Sequence, residues 1–291
     1  MKTIIGIGET VWDMLPAGKQ LGGAPLNFAF FAGVLGAHSY VVSAIGDDPL
    51  GDETLEAMER TGIDLSLLQR NALPTSRVIV TLGEGGIPEY EIVEGVAWDA
   101  IECTPEAMEK IRTADAICWG SLAQRSDKSR ANILRMLDAA PEHCLKVFDI
   151  NIRQHFYSEQ LIRASLERAD VLKLNEDELP LLKDIFGIEE DNTAAIHTLT
   201  ETFGLDTIIF TQGARCSEIY GREGLLSSID TPKVKVADTV GAGDSFTAAY
   251  ITSILQGKSV ARAHEAAVKV SAYVCTQLGA VNPLPEDLLN L

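Results

Sequence analysis

Short runs that are apolar throughout recur along this chain: Thr3–Ile7, Tyr40–Ile45, Ala116–Trp119, Leu145–Ile150, Val171–Leu174 and Thr207–Thr211. Between them lie segments with helical patterning: Pro25–Leu35, closed by Gly36, Leu50–Thr61, closed by Gly62, Lys128–Ala139, Ser158–Arg168 and Glu176–Phe186. Wholly apolar strands alternating with helices predict a parallel sheet covered on both faces. Val234–Val236 alternates like a strand end, Phe246–Leu255 reads as a largely buried helix, and a last helix is expected over Val260–Leu278, ending at Gly279. Two segments break the pattern. Val78–Leu82 and Glu89–Val93 read as a hairpin around Gly83–Gly86, and with Val11–Leu15 they predict a small sheet outside the main one. Such an appended sheet commonly serves as a lid. No internal repeat, low-complexity tract or linker interrupts the 291 residues, so the expectation is one domain over 1–291 with a β lid built from about 10–20 and 76–98.

Composition narrows the class. Hydrophobic residues make up 46% of the chain, enough for a well-filled core, and 42 acidic against 24 basic residues give a net charge of −18. That field repels phosphates, which argues against nucleic acid or an anionic membrane as partner. A phosphorylated ligand must then be met by a local device: a helix N-terminus, Mg²⁺, or a placed Lys or Arg. The five cysteines show no paired spacing, and Cys118, Cys144 and Cys275 lie in apolar runs, which predicts a reduced, cytoplasmic chain. Met1–Gly8 is too short and glycine-broken for a signal peptide, and no apolar run approaches the roughly 18 residues of a transmembrane helix.

The most informative run is Asp238-Thr-Val-Gly-Ala-Gly-Asp-Ser-Phe246. Gly241 and Gly243 sit where a turn opens a helix, so the backbone can approach a ligand closely and offer the free N–H groups of the helix N-terminus. That is an anion site suited to phosphate. Asp244 places a carboxylate in the same cradle, which a phosphoryl-transfer enzyme needs to take the proton of the attacking hydroxyl. The competing reading is an ordinary capping Asp after a glycine turn. Gly22-Gly-Ala-Pro-Leu-Asn27 opens another helix, with Asn27 offering donor and acceptor or serving as a cap. Asp13 is either a turn residue before Pro16 or a carboxylate able to accept from two adjacent hydroxyls, as a sugar requires. Asp149-Ile-Asn-Ile-Arg153 lies at a strand's C-terminal end, where open α/β sheets collect ligands. Asn175 and Glu178 have the spacing of a capping box, or stand near phosphate oxygens and Mg²⁺. Thr211-Gln-Gly213 ends a third strand on that edge. Gly6-Ile-Gly8 lacks the third glycine of a dinucleotide fingerprint because position 11 is Val, and no P-loop motif is present. The five histidines have no metal-ligand spacing, and no Gly-x-Ser-x-Gly elbow occurs.

These motifs stand in a familiar order. Gly22-Gly23 with Asn27, Asp47–Gly51, the Asp149/Asn151/Arg153 set, Asn175 with Glu178, Thr211 with Gly213, and Asp238–Asp244 resemble the ribokinase-like (PfkB) carbohydrate kinase family over essentially the whole chain. The Gly-Gly-Ala-Pro-x-Asn form, with Gly8-Glu-Thr-Val-Trp-Asp13 before it, is most similar to the fructokinases of that family. The resemblance implies a three-layer α/β/α fold with a mostly parallel sheet and a small β lid. It implies Asp244 as base, Gly241–Gly243 with Ala242 as anion hole, and Arg153 near the transferred phosphate or the sugar. Asp13, Gly22, Gly23 and Asn27 would hold sugar hydroxyls. Asn175, Thr211 and Gly213 would hold ATP, and Glu178 would meet Mg²⁺ through water. Asp238 and Val240 would flank a monovalent cation such as K⁺, with carbonyls near Cys275 and Gly279. Members often dimerise through their lid sheets. The chain departs from the family where Cys216 replaces a second glycine after Thr-x-Gly. Trp12 and Trp98 are either lid aromatics or core residues. Within the same chemistry 2-keto-3-deoxygluconate, ribose or a nucleoside remain alternative acceptors, and a non-catalytic sugar sensor is the alternative of another class.

Overall fold

In the computed structural model, which describes residues 1–15, 18–82, 88–289 and 291, β1 (Thr3–Ile7) is followed by β2 (Val11–Leu15), β3 (Gly18–Gly22), α1 (Ala24–Val34), β4 (His38–Gly46), α2 (Pro49–Glu59), β5 (Leu68–Asn71), β6 (Arg77–Leu82) and β7 (Pro88–Ile92). An alternating stretch comes next: α3 (Pro105–Ile111), β8 (Ala116–Trp119), α4 (Asp127–Asp138), β9 (Leu145–Asp149), α5 (Glu159–Leu166), β10 (Val171–Asn175), α6 (Glu178–Phe186), α7 (Asn192–Phe203) and β11 (Thr207–Thr211). The hairpin β12 (Cys216–Gly221) and β13 (Gly224–Asp230) precedes α8 (Ala242–Leu255), α9 (Val260–Val274) and α10 (Glu286–Leu289).

Nine strands form one sheet in the order β13-β12-β11-β10-β9-β8-β1-β4-β5, and four form a second in the order β3-β2-β6-β7. The large sheet is parallel from β11 to β5, with β12 and β13 added antiparallel at one edge. Its strands read as apolar throughout because successive residues feed opposite layers. Ile4, Val41, Val147 and Ile209 pack with Phe28, Phe31, Ile251 and Ala267 of α1, α8 and α9. Ile5, Val42, Phe148 and Ile208 pack with Ile133, Leu161, Leu182 and Ile196 of α4 to α7. The result is the expected three-layer architecture. Both Trp98 and Trp119 are fully buried, and Trp12 lies at 7% exposure with its indole N–H on Thr54, so the core reading holds for the two tryptophans in question. Asp48 of the Asp47–Gly51 motif is structural: it caps α2 through the Gly51 amide and ties it to Thr75.

The chain runs from β1 outward to β4 and β5, then returns to β8 on the other side of β1 and continues to β11. Strand order thus reverses at β1, and the loops after β1, β8, β9 and β10 diverge there to leave a crevice, as such reversals do.

Two sequence expectations need correction. Val234–Val236 is not a strand end: residues 231–236 have no ladder partner, and Val236 stays 57% exposed, so its alternation has no buried face to serve. The last long helix stops at Val274 rather than Leu278. There the Cys275 carbonyl accepts the amides of Ala237 and Asp238, and Asp238 binds the Gly279 amide, so the helix end is drawn into the loop before α8. The predicted Val78–Leu82 and Glu89–Val93 strands pair as expected, β6 antiparallel to β7, but the turn assigned to Gly83–Gly86 lies outside the described residues. Strands β3, β5, β12 and β13 and helices α3 and α7 carried no pattern strong enough to read.

Candidate active site

A cleft of about 360 Å³ opens at the strand reversal, between the C-terminal ends of the large sheet and the four-stranded sheet. Many of the residues singled out from sequence line it, among them Asp13, Gly22, Gly23, Asn27, Asn151, Arg153, Asn175, Val240, Gly241, Gly243 and Asp244. Ala242, Glu178, Thr211, Gly213 and Asp238 are not part of this lining. A separate cavity of about 400 Å³ lies against Met1, Lys2, Asp115 and Gln256, at the other end of β1, and holds only the Lys2–Asp115 pair.

The floor is the N-terminus of α8. Gly241 caps it at φ 78°, and a Cβ there would come 2.7 Å from the Ala280 Cβ, so only glycine fits. The Ala242 amide turns back to the Thr239 carbonyl and the Ser245 amide to that of Gly241. The Gly243 and Asp244 amides, in the first turn, have no intrahelical acceptor and carry the positive end of the helix. Asp244 is partly buried beside them, and Asn27 Nδ2 donates to its Oδ2 at 2.7 Å. Burial, reinforced by the charge of Asp149, pushes the Asp244 carboxyl up to about 6, against the opposing pull of Asn27, Lys173 and Arg153. Asn27 is therefore no cap. It sits one turn into α1, with its amide on the Gly23 carbonyl, and joins the two helix N-termini across the cleft.

Gly23 explains why α1 can start here. Its φ is 122°, and a Cβ would lie 2.3 Å from the Glu9 carbonyl oxygen. Asp13 lies on β2 opposite Gln20, in a strand rather than a turn, and burial raises its carboxyl above the ordinary range. After β9, Asn151 takes φ 41° and Arg153 reaches the cleft from the exposed side. Asn175 and Glu178 form the capping box reciprocally. Asn175 Oδ1 accepts the Asp177 and Glu178 amides, Glu178 Oε2 accepts the Asn175 amide, and Glu178 Oε1 accepts that of Ile152. Thr211 and Gly213 follow along the same sheet edge, Gly213 at φ 52° beside Glu176. Asp238 accepts amides from Thr239 and Val240 on one oxygen and Gly279 on the other. The Gly279 carbonyl already accepts from Asn282, so Asp238 and these carbonyls are engaged in holding the loop.

Two functional candidates escaped the sequence reading. Lys173 is only 6% exposed in the middle of β10; its Nζ lies 3.2 Å from Asp149 Oδ1 and 3.0 Å from where a Gly243 Cβ would be. Burial pulls its ammonium down, but Asp149, Glu178 and Asp244 outweigh it and hold the group above its ordinary range. A lysine inside an apolar strand was the available signal. Glu9, 2% exposed just after β1, also lines the cleft, and burial pushes its carboxyl up to about 7. It was visible only as an acid following an apolar run.

The cleft thus combines a helix N-terminus, two cationic side chains and a carboxyl group whose proton affinity is raised. The profile of the pfkB family carbohydrate kinases matches residues 8–287. A fructokinase from Escherichia coli is 27% identical over 306 residues, covering 96% of this chain and 95% of the relative. Among solved structures, the fructokinase of Xylella fastidiosa with bound ATP superposes with a TM-score of 0.87 at 21% identity, covering 99% of this chain and 97% of the other. The aminoimidazole riboside kinase of Salmonella enterica, solved with aminoimidazole riboside and an ATP analogue, gives 0.82 at 24% identity over 99% of each chain. With its fold, its glycine-capped α8 and a family match across nearly its whole length, the chain belongs to the pfkB family of carbohydrate kinases.

Proposed function

We propose that this protein is an ATP-dependent sugar kinase that transfers the γ-phosphoryl group to a primary hydroxyl of a free sugar, with fructose as the acceptor. The observation that carries the reading is Asp244: a carboxylate lifted to about 6, hydrogen-bonded by Asn27 and set at the N-terminus of α8. The choice of fructose draws on the likeness to fructokinases.

In this reading Asp13, Gly22, Gly23 and Asn27 hold the sugar, and its primary hydroxyl lies beside Asp244. The hydroxyl proton passes to the Asp244 carboxylate as the sugar oxygen bonds to the γ-phosphorus. The bond from that phosphorus to the bridging oxygen breaks, and ADP leaves. The first-turn amides of α8, with Arg153 and Lys173, stabilise the charge on the transferred group, so catalysis is positioning and electrostatics without a covalent enzyme intermediate. Asn175, Thr211 and Gly213 line the path of the nucleotide. Among the described residues no cluster of three or more His, Cys, Asp or Glu is arranged as a metal cage, which suits a Mg²⁺ carried by phosphates. Mg²⁺ would neutralise the β- and γ-oxygens, with Glu178 meeting it through water because both its oxygens accept amides.

The four-stranded sheet acts as a lid whose Val11, Val78 and Ile92 close over the sugar, and two copies associate through it. The five cysteines, all free in the structure, suit a reducing cytoplasm. No helix among the described residues is long and apolar enough to cross a membrane.

The deciding experiment is a kinetic panel with ATP and Mg²⁺. Fructose should show the highest kcat/KM; a higher value for ribose, 2-keto-3-deoxygluconate or a nucleoside overturns the acceptor, and no turnover with any of them overturns the kinase.

A further inference from the structure

Most buried carboxylates in this protein have an ionic or hydrogen-bonding partner for each oxygen, although Asp149 Oδ1 has only the Lys173 ion pair. Asp149 has Lys173 and the Thr247 hydroxyl, Glu178 has two backbone amides, and Asp99 has the buried Arg125. Glu9 is different. It is 2% exposed, and its Oε2 is buried with no hydrogen-bond partner among the described residues. Asn27, 3% exposed, donates Nδ2 to Asp244, and its Oδ1 is in the same condition. Both residues line the one cleft, together with Asp13, Asn151, Arg153 and Asp244. A buried polar atom left without a partner costs on the order of 1–3 kcal/mol, more when charged, so two of them on residues that line one cleft call for an explanation.

The surrounding structure holds Glu9 in place. Gly23 packs so tightly on the Glu9 backbone that a Cβ would lie 2.3 Å from its carbonyl oxygen. α1 begins without a side-chain cap at Gly23, and the amides of Glu9 itself and of Ala24 both act on the Glu9 carboxyl. The carboxyl also senses Asp244 and Arg153, whose charges act on it in opposite directions, so it belongs to the same electrostatic neighbourhood as the base. The proton transfer assigned to Asp244 uses neither free oxygen. What the two oxygens have in common is the ability to engage a hydroxyl, which donates to one and can accept from a protonated carboxyl.

We propose that Glu9 is a specificity-determining residue: its Oε2 and Asn27 Oδ1 receive a second hydroxyl of the polyhydroxyl acceptor, distinct from the one that is phosphorylated. The proposal deepens the sugar-kinase reading and rests on it. Glu9 fixes which face of the sugar enters, while Asp13 engages the sugar from the four-stranded sheet.

The test is a cycle between enzyme and substrate. kcat/KM is measured for wild type, Glu9→Gln and Glu9→Ala with fructose and with 1-deoxy-, 3-deoxy- and 4-deoxyfructose. On wild type one analogue should lose about 10- to 100-fold relative to fructose, as expected for a hydrogen bond to a buried, partly charged group. On Glu9→Ala that same loss should shrink to about 3-fold or less, with the losses of the other analogues unchanged. Glu9→Gln, which keeps the shape, should change only that same analogue's loss, and carries the test alone if the alanine variant does not fold. If every analogue loses as much on the variants as on wild type, Glu9 merely supports α1 or binds an ordered water, and the proposal is overturned. Wild type that turns over no sugar overturns the kinase reading and this one together; turnover with uncoupled losses overturns this one alone.

Discussion

At Asp244, which we propose as the base, the demands of catalysis and stability would oppose each other. Its carboxyl titrates at about 6 instead of the ordinary 3.8, chiefly because burial penalises the ionised form. A folded-state value raised above the unfolded one means that the native state holds the proton more tightly. The contribution to stability is complete below about pH 3.8 and is lost as pH rises through about 6. The ionised base therefore strains the native state at neutral pH. Asp244→Asn, whose amide oxygen can still accept from Asn27, should be more stable than the parent at pH 8 by roughly 1–3 kcal/mol. The difference should vanish near pH 4, and equal unfolding midpoints at pH 8 without substrates would count against it. The same variant should lose about 10²–10⁴ in kcat; near-parental turnover in the folded variant removes Asp244 as base. For the parent, kcat/KM should rise with pH through a midpoint near 6, and a flat profile from pH 5 to 8 would contradict that assignment.

Two elements bring the chemistry together, and neither does so alone. α8 offers its N-terminus because Gly241 takes a positive φ against Ala280, and β10 sends Lys173 beneath it to pair with Asp149 on β9. A lysine in an apolar parallel strand is tolerated only because the neighbouring strand supplies the carboxylate. Lys173→Met should leave Asp149 buried and unpaired, at a cost of about 3–5 kcal/mol, whereas adding Asp149→Asn should recover much of it. Chemical denaturation of the single and double variants checks this, and additive losses would mean that the pair is not coupled. Glycines before helices and the apolar strands were legible because each is a local property of the chain. The Lys173–Asp149 pair was not: its partners are separated by a whole helix, α5, and only the parallel pairing of β9 with β10 makes them neighbours. The helix assigned to Val260–Leu278 overran for a related reason, since its end is set by bonds from Cys275 to Ala237 and Asp238, far away in sequence.

Across the whole molecule, the strand reversal at β1 determines where everything meets. It gathers the loops after β1, β9 and β10 around α1 and α8, and the four-stranded sheet covers them. Against a net charge of −18, the cleft sets Arg153, Lys173 and a helix N-terminus beside the carboxyl groups of Glu9, Asp13 and Asp244. If two copies meet through the four-stranded sheet, sedimentation should give a dimer at micromolar concentration, and charged substitutions at Met14, the 37%-exposed residue of β2, should shift it toward monomer. A monomer for the parent chain would refute the association. The sequence by itself determined the layer architecture, the family resemblance and most of the cleft residues. These follow from hydrophobic period, from turn chemistry and from motifs that act within a few residues. Only the tertiary structure decided which of several polar groups at one sheet edge face each other: Asn27 bonded to Asp244, Asn175 and Glu178 closed into a capping box, and Glu9, beside the cleft, left with a buried oxygen that has no partner among the described residues. Burial and pairing are properties of neighbours in space, and it is these that turn an ordinary carboxylate into a base or a recognition group.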